Sequence, residues 1–188
     1  MTVAGKDEPA GLAGPPEAHL ALELVRQGYV CVVADTIGAG ERVYPDAEPF
    51  DTSGFYARHP RWSAGGKMLW DHQRALDFLS SLDAVDQDRL GVIGHGLGGV
   101  NALLLGAFDH RIKVTAASCA YTPFAVDPDP MRWCRDQGLV GLPLLGPYLR
   151  QRRHPPFAWV ELLALVAPRY LHYTYAVHDE TLPHSVFI

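Results

Sequence analysis

The residues best placed to do chemistry lie in one glycine-rich run, Gly94-His95-Gly96-Leu97-Gly98-Gly99. A short apolar strand, Leu90 to Ile93, leads into it, and an apolar helix, Val100 to Phe108, leads out. A strand, a G-x-Ser-x-G turn and a helix make a nucleophile elbow, which lifts the central side chain above the sheet. Small flanking residues are needed where strand and helix approach closely, and Gly94 and Gly98 are read as supplying that room. The backbone N–H of the next residue, here Leu97, points at a developing oxyanion, and the helix adds its positive end. Position 96 breaks the pattern. Gly96 has no side chain, so it cannot attack a carbonyl or form an acyl-enzyme. Glycine does tolerate the positive φ of an elbow residue, so the turn is still expected to form.

Two other readings compete for the same six residues. They stand in G-x-G-x-x-G register, which marks dinucleotide sites. Against this, the strand is not the first of the fold, and no acidic residue ends a strand about 20 residues on. The other reading is a purely structural turn. The elbow is preferred. His95 sits beside it with an expected role in packing or hydrogen bonding. Ser118 and Cys119, near the end of the run Ile112 to Ala120, are alternative nucleophiles whose simpler reading is strand interior.

These residues need a scaffold. Residues 1–16 are rich in Gly, Pro and Ala and read as an irregular lead-in. Residues 17–27 place Leu20, Leu24 and Val25 at helical spacing, with Gly28 as a stop. Tyr29 to Ala34 is a continuous β-rich run, expected as a strand covered on both faces. Residues 36–66 read as loop. Residues 67–82 put Leu69, Ala75, Leu76 and Leu79 in helical register. Residues 121–156 are proline-rich; their segment GLVGLPLLGPYL is read as helical, covering a site as a cap or lid-like insertion. Residues 157–166 read as a helix, and Tyr170 to Val177 as a strand with Asp179 after it. Strands alternating with helices predict an α/β domain, a mostly parallel sheet with helices on both faces. Chemistry then falls at the carboxyl ends of the strands. Asp35, the Gly94–Gly99 turn and Asp179 all lie there.

The 188 residues suit a single domain or the larger part of one, a partial α/β fold, and a net charge of -5 argues against nucleic acid or an anionic membrane as partner. Three cysteines, Cys31, Cys119 and Cys134, form no C-x-x-C pair, so neither a disulfide framework nor a zinc site is expected. No metal or other cofactor is implied. The first residues lack a signal-peptide pattern, and no apolar run approaches the ~20 residues of a membrane helix. A cytoplasmic location is the default expectation.

The stretch LWDHQRALDFLSSLDAVDQDRLGVIGHGLGG resembles a W-D…R-A-L-D-x-L…V-D…R-I-G-x-x-G-H-S-x-G-G signature, with Trp70, Asp71, Arg74, Asp77, Asp86 and Arg89 in register. HLALELVRQGYVCVVADTIGAGER, FDHRIKVTAASCAY and LLALVAPRYLHYTYAVHDETLP resemble flanking segments of the same pattern. The pattern is that of the α/β-hydrolase superfamily, in its dienelactone-hydrolase-like and acetyl-xylan-esterase-like branch. The resemblance spans about residues 17–184 and implies a Ser (or Cys), Asp, His triad acting on esters, lactones or peptides. It puts Gly96 at the nucleophile position, Asp179 at the acid position and Leu97 at the first oxyanion donor. The family's histidine would fall beyond residue 188, and the turn carrying the second oxyanion donor before residue 1. His178 and His184 lie too close to Asp179 to replace that histidine and read as loop residues. The implied function is esterase ancestry with little or no activity, on a small ester-like ligand. The alternatives are a noncatalytic binding or scaffold module, or a weak esterase with an unconventional nucleophile. A missing neighbouring strand would expose a hydrophobic sheet edge, so a homo-oligomer is expected. Trp133, Tyr148, Phe157 and Trp159 either line an apolar pocket or belong to the core.

Overall fold

Three apolar runs pair into a parallel sheet in the computed structural model, which describes residues 5–176 and 178–179. β1 (Leu90–His95), β2 (Ile112–Ser118) and β3 (Tyr170–Thr174) lie in the order β1-β2-β3. The register pairs Ile93 with Ala116 and Ala116 with His172. Side chains alternate between faces along a strand, so Val92, Thr115 and Leu171 share one face while Ile93, Ala116 and His172 share the other. α4 (Leu97–Phe108) lies directly on the first of these. A Cβ on Gly106 would come within 2.2 Å of Thr115 Oγ1. α6 (Trp159–Val166) packs beside α4, and Leu103, Trp159, Leu162 and Ala117 share a core with Tyr121 and Trp133. The opposite face carries the exposed side chains of Ile93, Val114 and Tyr170. Arg169, just before β3, donates to the carbonyls of Asp109 (3.0 Å), Ile112 (3.1 Å) and Leu165 (2.9 Å). It thus ties the entry to the sheet to the end of α6 through backbone carbonyls.

This sheet belongs to one of two units, formed by Asp86–Arg135 with Leu142–Ile188; the other is Met1–Val85 with Asp136–Gly141. The second of these holds α1 (Leu20–Arg26), α2 (Ser53–Arg58) and α3 (Ala64–Ser80). α1 ends at Gly28, whose φ of +92° lets its N–H reach Val25 O while Tyr29 N–H reaches Leu24 O. That is a Schellman ending with glycine at C′, as the stop signal predicted. α3 starts where the Ser63 hydroxyl accepts from Gly66 N–H at 3.0 Å. α2 lies inside a region expected to be loop.

The strand expected over Tyr29–Ala34 does not form. Tyr29, Val30 and Val32 are exposed, and no described segment pairs with them. β-rich composition favours a pleated surface, but a strand exists only where a neighbour takes its N–H and C=O groups.

The stretch 121–156 divides between the units. Gly138 O accepts from Thr52 Oγ1 at 2.8 Å, Val140 N–H donates to Thr52 Oγ1 at 3.1 Å, and Val140 O accepts from Tyr56 O–H at 2.6 Å. Within the segment read as helical, only a 3-10 turn at Pro143–Leu145 and the short α5 (Gly146–Arg150) are helical.

Candidate functional site

The turn after β1 has elbow geometry. Gly96 sits between the last residue of β1 and the first of α4 at φ +57°, ψ -121°. Its N–H donates to Ser118 O at 2.9 Å, which ties the turn to β2, and its carbonyl accepts from Val100 N–H at 3.1 Å, which starts the helix. Gly94 is needed because a Cβ there would stand 2.0 Å from Gly98 O. Gly98 itself is different from expectation: a Cβ at that position would meet nothing within 4 Å. The glycine that strand–helix contact requires is Gly99, whose Cβ would lie 2.7 Å from Ser118 O and 3.1 Å from Ala120 Cβ. The correction follows from direction. The backbone of Gly98, not its side-chain position, faces the strand. Leu97 is the first residue of α4, where N–H groups have no intrahelical acceptor.

Strand register brings two polar side chains together beside the turn. His95 and Ser118 end adjacent strands, and His95 Nδ1 lies 3.1 Å from Ser118 Oγ. Ser118 Oγ also lies 3.8 Å from Cys119 Sγ. Cys119 is buried at φ +47°, a conformation costly for a residue with a Cβ, and its N–H donates to Thr174 O at 2.8 Å. The sequence singles out each of these residues but not their pairing, because spacing does not encode which strands are neighbours. Ser118 is the last strand residue, and Cys119 lies just past the strand rather than inside it.

Asp179 follows β3, its N–H donating to Ala176 O at 3.3 Å. Since β1 and β3 flank β2 in parallel, the elbow and Asp179 both follow carboxyl ends of one sheet. His178 is exposed in the same turn. His184 lies outside the described residues.

The aromatics named from the sequence separate. Trp159 is fully buried, with Trp133 at 4.8 Å, Tyr121 at 5.3 Å and Phe157 at 5.5 Å between ring centroids. These are core. Burial pushes the Tyr121 phenol up to about 12, helped by Tyr173, and burial raises Tyr173 too, so neither is a base near neutral pH. Tyr148 stands apart, half-buried at the surface.

Asp35 is held in a structural network. Burial alone would raise its carboxyl, but Lys6 Nζ at 2.9 Å, Lys6 N–H at 2.7 Å and Glu41 N–H at 3.0 Å overcome that and hold it below the usual carboxylate range. Arg42 donates to Asp35 O at 3.1 Å and to Asp71 at 2.8 Å, and Asp71 also pairs with Lys67. The matching positions Asp35, Arg42 and Asp71 thus brace one another. Among the described residues, no group of three or more His, Cys, Asp or Glu side chains could hold a metal ion. No described helix is long and apolar enough to cross a membrane.

The comparisons agree with this geometry. A model of the Abhydrolase family matches residues 3–120. The YtaP protein of Bacillus subtilis (strain 168), which carries a hydrolase name, is 29% identical over 161 residues, covering 86% of this chain and 50% of YtaP. The quorum-quenching protein AidA of Acinetobacter baumannii (strain MDR-ZJ06) is 29% identical over 116 residues, covering 60% of this chain and 34% of AidA. Among solved structures, a glucuronoyl esterase from Solibacter usitatus superposes with a TM-score of 0.53 at 25% identity, covering 65% of this chain and 33% of the esterase. The chain therefore spans at most half the length of these relatives. The family match over more than half of the chain shows that the chain, with its parallel sheet, belongs to the Abhydrolase family, within the α/β-hydrolase superfamily.

Proposed function

We propose that this protein of esterase-like descent keeps the elbow of a carboxylic-ester hydrolase but performs no nucleophilic ester cleavage as it stands. The observation that carries the reading is Gly96. It occupies the elbow position, at φ +57° and ψ -121°, with no atom to attack a carbonyl. Leu97 at the start of α4 is the first oxyanion donor in this reading, and Asp179 the acid that would orient a histidine. What remains is a site able to hold a small ester-like ligand without cleaving it, which also suits a noncatalytic binding or scaffold role.

One observation favours a second reading. His95 Nδ1 lies within hydrogen-bond reach of Ser118 Oγ, the relation of a base to a nucleophile. In that reading Ser118 Oγ attacks the ester carbonyl, His95 takes its proton and returns it to the leaving alkoxide, and water then releases the acyl group.

Hydrolysis of p-nitrophenyl acetate separates the two. The unaltered chain is expected at the buffer rate, with Ser118→Ala and Cys119→Ala unchanged from it. Turnover above buffer that disappears in Ser118→Ala would install the second reading instead. Restoring serine with Gly96→Ser is expected to give no more than the about 10³–10⁴-fold over water that binding and oxyanion donors sustain in a triad knockout.

A further inference from the structure

Far from the elbow in sequence, α5 ends in an unusual way. Arg153 N–H donates to Tyr148 O at 2.9 Å, and Arg152 N–H to Leu149 O at 3.2 Å. This is the same Schellman ending that closes α1, but the C′ residue at φ +51° is Arg152 rather than glycine. The motif normally brings an apolar residue at C″ against C3. Here C″ is Arg153 and C3 is Tyr148, and the guanidinium carbon lies 5.7 Å from the ring centroid. The local fold thereby fixes a cation over an aromatic ring, within the ~6 Å range of a cation–π contact.

That pair lines a cleft of about 390 Å³ with Leu144, Pro147 and Pro156, a volume in the range of small-molecule sites. Leu144 is 81% exposed, an apolar side chain held at the mouth with nothing covering it. Arg153 pairs with no carboxylate among the described residues. Along the sequence the charge is one-sided as well. From Leu142 to Val160 there is no acidic residue, while Arg150, Arg152 and Arg153 are basic, in a protein of net charge -5. A left-handed backbone, a guanidinium with no carboxylate partner among the described residues and an apolar wall meet at one place.

We propose that this cleft binds a small organic carboxylate with a flat apolar body. Arg153 takes the carboxylate through its planar fork of N–H donors, whose geometry matches two carboxylate oxygens. Leu144, Pro147 and Pro156 cover the body, and the Tyr148 ring holds the guanidinium in place, so less side-chain freedom is lost on binding. The cost of a left-handed Arg152 fits a position kept for the turn it makes.

Calorimetric titration of the full chain with 2-naphthoate tests this. Saturable binding is expected. Acetate, with charge but no body, and 2-naphthylmethanol, with body but no charge, are each expected to bind at least tenfold more weakly. Arg153→Gln should lose at least tenfold and Arg153→Lys less, since charge remains but the fork is gone; circular dichroism shows whether each variant is folded. Added salt should weaken naphthoate binding to the unaltered chain, a reading that needs no variant. The proposal is overturned by equal affinity for 2-naphthylmethanol, by a folded Arg153→Gln that binds as well, by salt-independent affinity, or by no saturable binding at millimolar naphthoate.

Discussion

The glycines around Gly96 are not equivalent. Gly94 and Gly99 are where backbone meets backbone, at 2.0 Å and 2.7 Å from the nearest carbonyl oxygen to a Cβ, whereas Gly98 faces open space on α4. Gly99→Ala is therefore expected to destabilise by about 1–3 kcal/mol, since a carbonyl cannot move aside like a side chain. Gly98→Ala should instead stabilise by about 0.5–1 kcal/mol, the ordinary gain of alanine over glycine inside a helix. Urea unfolding monitored by circular dichroism reads both, and opposite signs are the critical outcome. Asp35 gives a pH-dependent counterpart. Its carboxyl is held low by Lys6 and by two backbone N–H groups against the push of burial. The stability it adds is present above the unfolded carboxylate value of about 3.9 and is lost as pH falls through the lower folded value. The stability gap between the unaltered chain and Asp35→Asn should hold level from neutral pH to about 5 and close below about 4. A gap that instead closes as pH rises would remove Asp35 from this role.

Elements were readable where their cause is local. Helices α1, α3, α4 and α6 each carry an apolar repeat, and Gly28 marks the end of α1 through the backbone angle it alone adopts freely. Strands were legible as apolar runs at Leu90–Ile93, Ile112–Ala120 and Tyr170–Val177, where β1 runs on to His95, β2 stops at Ser118 and β3 at Thr174. Tyr29–Ala34 was misread by the same logic, because composition reports a willingness to pair and not the presence of a partner. α2 was missed because six residues with Gly54 near the start show no periodicity, and its support comes from Asp51, whose carboxylate accepts from Ser53 N–H at 2.8 Å. Around Gly96, the strand, the spaced glycines and the helix were visible in the sequence. The His95–Ser118 contact was not, since it depends on register between strands separated by α4. Nor was the stack of Arg153 on Tyr148, since nothing in the sequence flags an arginine at a left-handed helix end. That position yields its own prediction. Arg152→Gly relieves a left-handed conformation and should raise stability by roughly 1 kcal/mol. An unchanged or lower denaturation midpoint would mean that the arginine side chain contributes more than its backbone strain costs.

At the scale of the whole molecule, the consequence to follow is the edge of the sheet. β1 and β3 are its outer strands in the described residues, and each can offer backbone groups to another chain. The two edges are not equal. β1 reads LGVIGH, with no charge and no proline to discourage pairing, and it carries an exposed Ile93. β3 begins after the charged Arg169, and its first residue, Tyr170, is aromatic and highly exposed. Self-association through β1 is thus the expected behaviour, with two copies extending one sheet across their β1 strands. Sedimentation velocity across a wide concentration range should show a dimer or larger species that dissociates on dilution. Ile93→Lys places a charge on the edge strand at an exposed position, so it should shift the distribution to monomer while leaving the far-ultraviolet circular dichroism unchanged. A chain that sediments as a monomer at every concentration would overturn association altogether. An oligomer indifferent to Ile93→Lys would move the contact away from β1 and from the exposed face that Ile93 shares with Val114 and Tyr170, leaving β3 as the edge to test next.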